Sequence, residues 1–259
     1  MKSSLLDTNV VFDIIYQSRD RHESAESFYK GFNNLELGIE NIVHQECNMV
    51  LLKYASEFGS DLENYIHTRE KHTNKLWDAM SVKLRKDILE KFSNDLMINL
   101  QGRSDGHVPF YREIITRSLS KLVRMTIEDL REYFLEMPTV MMRYLRNEIK
   151  SRFTVFRPFV DLEKKETYEF TSKLKEKLAN PYFKSRQSED RKILTSIIAL
   201  ITFGDANKNA FDEILFYTCD PEFLHSYSEI KASPPTLSET KYDNFLNHAL
   251  ISLVFMRPY

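Results

Sequence analysis

The sequence predicts an α/β fold in which helices cover a central parallel sheet, with a mostly helical subdomain inserted into it. Short aliphatic runs alternate with helical spacing in both terminal parts of the chain, which is typical of a parallel sheet. The middle of the chain has helical spacing and no strand pattern. Glycine and proline are scarce, at 6 and 8 of 259 residues, which disfavours tight hairpins between neighbouring strands.

The terminal parts of the chain supply the predicted strands. The run SLLDTNVV at residues 4–11 begins as a buried strand, LELGIE at 35–40 is a second, and EILFYTCD is a third that ends near Thr218. Helical spacing covers residues 24–32, 43–58 and 188–203. The final ALISLVFMRPY favours a last helix or strand packed on the sheet. The order of strands and helices predicts crossover connections and a parallel sheet.

The middle of the chain reads as four or five helices. Ser60 and Glu63 have the spacing of a capping box and predict a helix start. Thr126 and Asp129 predict another start by the same pattern, and Pro138 predicts a kink or a restart further along. Further helical spacing covers residues 111–123 and 163–178.

Composition excludes several classes of protein. Apolar content of 42% and charged content of 29% are typical of a globular protein in water. No stretch approaches the ~20 apolar residues of a membrane span, and no secretory signal pattern opens the chain. The two cysteines, Cys47 and Cys219, do not form a disulfide framework. We therefore expect a cytoplasmic protein with no membrane partner.

The charge is unevenly distributed along the chain. Residues 60–187 hold 25 lysines and arginines against 19 acids, a net charge of +6, whereas the two flanks together hold 11 against 19, or −8. A basic middle on an acidic body is compatible with binding to nucleic acid. Long exposed helices that are simply charged would give the same pattern.

Four carboxylates occupy similar places in the predicted fold. Asp7 and Asp220 lie where predicted strands end, while Glu46 and Asp190 lie in the first turns of predicted helices. These places meet at one edge of a parallel α/β sheet, where four carboxylates would repel one another without a cation. Oxygen-rich clusters of this kind suit Mg²⁺ or Mn²⁺ and metal-assisted hydrolysis.

Each of these acids also has a purely structural explanation. Asp190 is favourable in the first turn of a helix, and Asp220 before Pro221 is a good N-cap. Glu46 could be a surface carboxylate, and Asp7 could cap the helix that follows it. The neighbouring Glu189 leaves the identity of the third acid open.

Four stretches carry a family resemblance: LLDTNVVFDII, HQECNMVLLK, SEDRKIL and LFYTCDPEFL. Together they resemble the PIN domain family of metal-dependent nucleases, which opens with Asp-Thr-Asn after its first strand and ends with a Thr-x-Asp-x-x-Phe element. The resemblance implies a PIN-like three-layer domain built from residues 1–58 and 185–259, with residues 59–184 as a helical insertion. It covers only the flanks of the chain, and the long insertion departs from the small toxin-type members.

The resemblance also implies a site and an activity. The four acids would hold one or two Mg²⁺ or Mn²⁺ ions for hydrolysis of a phosphodiester, most typically in RNA. Thr8 and Asn9 would fix the first turn, and Asn9 or Thr218 would orient an acid or a water. The alternative is a non-catalytic PIN-fold module that binds RNA, a protein partner or a second copy of the chain through the insertion.

The insertion carries two basic stripes with helical spacing, which could contact phosphates. Phe153, Phe156 and Phe159 interleave with arginines after the second stripe, and such aromatics can stack on unpaired bases. The alternative is that the phenylalanines are core and the basic residues a solvated face. The two stripes are Arg117, Lys121 and Arg124, and Arg143, Arg146 and Lys150.

Overall fold

The computed structural model describes residues 1–32, 37–73, 76–99, 107–158, 165–179 and 182–259. Within these ranges the chain forms five strands and ten α-helices. The strands are β1 (Lys2–Leu6), β2 (Leu37–Glu40), β3 (Thr154–Phe156), β4 (Glu213–Tyr217) and β5 (Leu253–Met256). The helices are α1 (Thr8–Ile15), α2 (His22–Lys30), α3 (Asn41–Thr73), α4 (Val82–Asn99), α5 (His107–Leu122), α6 (Ile127–Arg152), α7 (Lys165–Lys177), α8 (Ser188–Phe203), α9 (Pro221–Ala232) and α10 (Thr240–Ser252).

The five strands form one parallel sheet in the order β3-β2-β1-β4-β5. The chain adds β2 and β3 on one side of β1, then returns to add β4 and β5 on the other side. The strand order therefore reverses between β1 and β4, where Leu6 pairs with Tyr217. The predicted α/β fold with a parallel sheet is confirmed.

The chain divides into two compact units. The first comprises residues 1–14, 23–47 and 149–259 and contains the whole sheet. The second comprises residues 15–22 and 48–148. Helices α3 and α6 each contribute residues to both units. The sequence-based domain limits at 58/59 and 184/185 differ from these unit limits, and they stay predictions.

Apolar side chains explain the core of each unit. In the sheet unit, α8 buries an unbroken stretch from Ile193 to Ile201, in which every residue except Thr195 and Ser196 is aliphatic. In the second unit, the Phe58 and Tyr111 rings pack edge to face at 5.1 Å. Trp77 there is fully buried, and its indole N–H donates to the Met125 carbonyl at 3.0 Å. Burial of such surface is the main force that stabilises each unit.

Three local expectations meet the structure differently. Thr126 is confirmed as a cap. Its hydroxyl oxygen accepts a hydrogen bond from the Asp129 N–H at 3.1 Å, and the Asp129 carboxylate accepts one from the Thr126 N–H at 3.0 Å. The helix start at Ser60 is wrong, because α3 runs through it unbroken and the Ser60 hydroxyl donates to the Glu57 carbonyl. Pro138 lies inside α6 without ending it.

Strand β3 was not predicted, because it is only three residues long and lies in a stretch with helical neighbours. It pairs in parallel with β2, with Gly38 opposite Thr154. A Cβ atom on Gly38 would come within 2.3 Å of the Phe156 ring, so glycine permits this close pairing. Residues 35 and 36 of the predicted second strand lie outside the described ranges.

Among the described residues, no helix has both the length and the apolar character to cross a lipid bilayer.

Candidate active site

The candidate site lies at the carboxyl ends of β1 and β4, where the strand order reverses. Ligands of open parallel α/β sheets bind in the crevice outside such a reversal point. Asp7 follows β1 directly, and its backbone N–H donates to the Tyr217 carbonyl at 2.9 Å. Thr218 follows β4 in the same way. The two side chains therefore face each other across the reversal point.

Asp7 is the most deeply placed acid of the site, with 5% of its surface exposed. Its carboxylate accepts from the Thr8 N–H at 2.8 Å and from the Thr218 hydroxyl at 2.7 Å. Burial raises the pKa of Asp7 to about 7, although these two hydrogen bonds oppose the rise. The charges of Glu46 and Asp220 raise the pKa further, so both acids lie within electrostatic range of Asp7.

Glu46 reaches the same place from α3. The Thr8 hydroxyl donates to its carboxylate, so Thr8 contacts two of the predicted acids, Asp7 through its backbone and Glu46 through its side chain. Burial raises the pKa of Glu46, the Thr8 hydrogen bond opposes this, and the charges of Glu189 and Asp220 add to the rise. The predicted supporting role of Thr8 thus has a physical basis.

Asp190 lies in the first turn of α8, and its pKa is strongly raised. Burial raises the pKa of Asp190 to about 8, and the charges of Asp7, Asp220 and Glu46 follow in importance. The neighbouring Glu189 instead pairs with Lys192 at 2.5 Å, one turn along the same helix. Asp190 is therefore the residue of this pair that interacts with all three other predicted acids.

Asp220 caps α9, as its structural explanation requires. Its Oδ1 accepts from the backbone N–H of Glu222 at 2.7 Å and of Phe223 at 3.2 Å. Its own N–H donates to the Thr218 hydroxyl at 3.0 Å. The cap and the site are compatible, because these bonds fix the carboxylate next to Thr218 and use only Oδ1, while among the described residues no hydrogen bond occupies its second oxygen. Asn9, in contrast, is exposed in the first turn of α1.

The donors at this site have the chemistry that a hard divalent cation requires. All four acids offer carboxylate oxygens, the ligands that Mg²⁺ and Mn²⁺ prefer. The negative charges of neighbouring acids contribute to the raised pKa values of Asp7 and Asp190, and a bound cation would relieve the repulsion between these acids. Across the described residues, however, no three His, Cys, Asp or Glu side chains are grouped closely enough to hold a metal ion as placed. The acids fit a cation by type and charge, and binding requires their side chains to draw together.

Glu40 is a further buried acid that sequence reasoning missed. It ends β2, with 1% of its surface exposed, and accepts from the Ser196 hydroxyl at 2.7 Å and from the Ile42 N–H at 2.5 Å. Burial raises the pKa of Glu40 to about 7, against the opposing effect of these hydrogen bonds. Its position as the last residue of a predicted strand, one place earlier than that of Asp7, was the signal in the sequence.

The first basic stripe, Arg117, Lys121 and Arg124, is largely engaged within its own unit. Arg117 bonds the Glu113 carboxylate at 2.5 Å and the Tyr144 hydroxyl at 2.6 Å. Lys121 lies 4.1 Å from the centroid of the Tyr133 ring, while Arg124 is exposed. Only part of this stripe therefore has the freedom to contact a phosphate.

The second stripe, Arg143, Arg146 and Lys150, is exposed along one face of α6. The aromatic residues that follow it do not extend this surface. Phe153 and Phe156 are buried, at 6% and 8% exposure, so the expectation that they stack on bases is wrong. They belong to the core for the ordinary reason that their rings are apolar. Phe159 lies outside the described residues.

No protein-family model, curated protein or solved structure matches this chain. The resemblance to the PIN family, the metal and the nuclease activity therefore stay predictions.

Proposed function

We propose that the protein is a PIN-type ribonuclease, a metal-dependent phosphodiesterase that hydrolyses RNA. One observation carries the proposal. Burial and the charges of Asp7, Asp220 and Glu46 together raise the pKa of Asp190 to about 8, at the reversal point of a parallel sheet. Carboxylates with raised pKa values in such a place mark a candidate functional site, although structural acid clusters also perturb pKa values.

The threonines of the site position the acids in this proposal. Thr218 donates to Asp7 and accepts from the Asp220 N–H, so one hydroxyl fixes two acids from neighbouring strand ends. Thr8 ties Glu46 to the first turn of α1. These bonds orient the acids before a cation is bound, and the movement that remains is for their side chains to draw together around it.

The cation would be held by Asp7, Glu46, Asp190 and Asp220. When bound, Mg²⁺ or Mn²⁺ polarises the phosphodiester and makes water a nucleophile at neutral pH. Without a cation, Asp190 retains a proton at neutral pH, since its pKa is raised to about 8. That proton must leave before the carboxylate can act as a full ligand.

The proposal is tested by cleavage of a labelled single-stranded RNA with Mg²⁺ or Mn²⁺ and with EDTA. Asp190→Asn removes one candidate carboxylate ligand of the cation and should abolish cleavage. Glu189→Gln is the matched control, because it removes the adjacent charge that pairs with Lys192, and it should retain most of the activity. Cleavage that survives in Asp190→Asn, or that persists in EDTA, would refute the proposal.

A second function has one specific observation in its favour, the exposed surface of α6. Beside the exposed second stripe, this helix carries the apolar side chains Leu135 at 83% exposure and Val140 at 46%. Apolar and basic side chains on one helix suit a non-catalytic module that binds RNA, a protein partner or a second copy of the chain. Sedimentation of the purified protein with and without RNA tests it. A monomer that neither binds RNA nor associates would exclude RNA and a second copy of the chain as what this surface binds, and would leave a protein partner.

A further inference from the structure

A groove between α7 and α8 lies beside the candidate active site, within the sheet unit. Its volume is about 410 Å³, within the range of ligand pockets. Helix α7 contributes Tyr168 and Lys175, helix α8 contributes Lys192 and Ser196, and Ile42 contributes from the start of α3. Tyr168 is 72% exposed and Lys175 is also exposed, so both can be reached by a ligand from solvent.

The two sides of α7 have opposite character. Phe170 and Leu174 are fully buried and hold the helix in the core of its unit. Tyr168 and Lys175 are seven residues apart, on one face, and line the groove. Packing therefore does not account for the exposed tyrosine ring, and the groove around it combines hydroxyl groups and two lysines with the apolar Ile42, Pro158 and Ala199.

Lys192 connects the groove to the acids. It lines the groove, and its ammonium pairs with Glu189 at 2.5 Å. Glu189 precedes Asp190 in the first turn of α8, so one helix carries both the groove wall and a candidate ligand of the cation. The charge of Lys192 also opposes the rise in the pKa of Glu46, so this wall of the groove lies within electrostatic range of a candidate acid.

We propose that this groove binds the single-stranded RNA substrate next to the point of cleavage, with a base stacked on Tyr168 and a phosphate contacting Lys175. Binding sites for single strands combine a basic groove with exposed aromatic rings on which bases stack. The acids beside the groove would repel phosphates unless positive charge offsets them. Lys175 supplies exposed positive charge on the groove wall, and Lys192 offsets the charge of Glu189. The inference rests on the proposed function for its substrate class.

The groove is tested by fluorescence anisotropy of a labelled single-stranded RNA decamer bound to the full chain, in EDTA to prevent cleavage. Tyr168→Ala should weaken binding about tenfold by loss of stacking, whereas Tyr168→Phe keeps the ring and most of the affinity. Lys175→Ala should weaken binding and reduce the slope of log affinity against log salt by ~0.7. Lys177→Ala removes an exposed charge from the same helix outside the groove lining and should have little effect.

The outcomes separate this inference from the proposed function. The groove proposal is wrong if Tyr168→Ala and Lys175→Ala both bind RNA with wild-type affinity. It is also wrong if Lys177→Ala loses as much RNA affinity as these two variants. Either result would stand even if the enzyme cleaves RNA. Failure of the wild-type chain to bind the decamer would overturn the groove proposal too. Binding that depends on Tyr168 and Lys175 but leads to no cleavage with Mg²⁺ or Mn²⁺ would support the groove and refute the nuclease. Preference for duplex RNA would also contradict it, because paired bases cannot stack on the ring.

Discussion

The Thr218 hydroxyl donates a 2.7 Å hydrogen bond to Asp7 Oδ2. This bond joins the residues that follow β4 and β1, the two strands between which the strand order reverses. Thr218 is fully buried, so its hydroxyl requires a partner inside the protein, and Asp7 supplies it. The same hydroxyl accepts from the Asp220 N–H at 3.0 Å. Thr218 is therefore the structural link between two of the candidate acids.

Replacement of Thr218 by valine should destabilise the protein and raise the pKa of Asp7 further. Valine keeps the shape but leaves a buried carboxylate oxygen and the Asp220 N–H without this partner. A buried polar group left unpaired costs ~1–3 kcal/mol, which denaturant unfolding at pH 7 would measure. Thr218→Ser should recover most of the loss. Thr202→Val is the control, because that hydroxyl donates only to a carbonyl of its own helix. Equal losses in the two valine variants would contradict a special role for Thr218.

Mg²⁺ or Mn²⁺ should raise the melting temperature if the four acids bind a cation, because a ligand of the native state stabilises it. At a free concentration 100 times Kd the gain in the free energy of unfolding is about 2.7 kcal/mol. The gain should be much smaller in Asp7→Asn. Glu229→Gln removes an exposed charge on α9 and should keep the full gain. The same shift in all three proteins would place the metal elsewhere.

Glu40 should make stability fall as pH rises from about 4.5 to about 7. The unfolded carboxyl loses its proton near its ordinary pKa of 4.5, whereas burial keeps the folded carboxyl protonated until about pH 7. The unfolded state therefore binds fewer protons in this window, and the free energy of unfolding falls by up to about 3 kcal/mol. Above pH 7 both states are ionised, and this contribution to the fall ends.

Glu40→Gln tests this by removing the titration while retaining an oxygen that can accept from Ser196. Chemical unfolding across pH 4–8 should show a smaller fall for the variant than for the wild type, and the difference between the curves isolates Glu40 from the other buried acids. Glu229→Gln, exposed and distant in sequence, should follow the wild-type curve. Parallel curves for Glu40→Gln and the wild type would show that Glu40 is ionised in the folded state.

The sequence was most informative where polar residues directly follow aliphatic runs. Asp7 and Thr218 could be placed at strand ends because β1 and β4 are short apolar strands, and parallel sheets bring such ends to one edge. Glu40 follows the same rule but was missed, because it was assigned to the strand itself. Its raised pKa depends on burial, which only tertiary packing supplies, and the hydrogen bond from Ser196 opposes the rise.

Elements in the middle of the chain were harder to predict for a different reason. The spacing of Ser60 and Glu63 imitates a capping box, yet inside α3 the backbone N–H groups already have helical partners and need no cap. Strand β3 is defined by its pairing with β2, a contact between distant parts of the chain. Phe153 and Phe156 could not be assigned to core or surface until that pairing was known.

The exposed stripe on α6 should contribute to RNA affinity through phosphates if the insertion binds RNA. Arg143→Ala with Arg146→Ala removes two exposed charges from one helix face. Each lost phosphate contact should reduce the slope of log affinity against log salt by ~0.7 for a single strand, so the double variant should lose ~1.4. The loss should be similar for all RNA sequences, because phosphate contacts position a strand without reading its bases.

Arg131→Ala provides the control on the same helix. Arg131 is also exposed, but its guanidinium is bonded to the Glu63 carboxylate at 2.5 Å, so its loss removes an ion pair rather than a charge that faces only solvent. We expect its RNA affinity and salt dependence to stay close to the wild-type values. If Arg143→Ala with Arg146→Ala also binds as the wild type does, these arginines are a solvated face. The apolar Leu135 and Val140 of α6 would then favour a protein partner as the role of this helix.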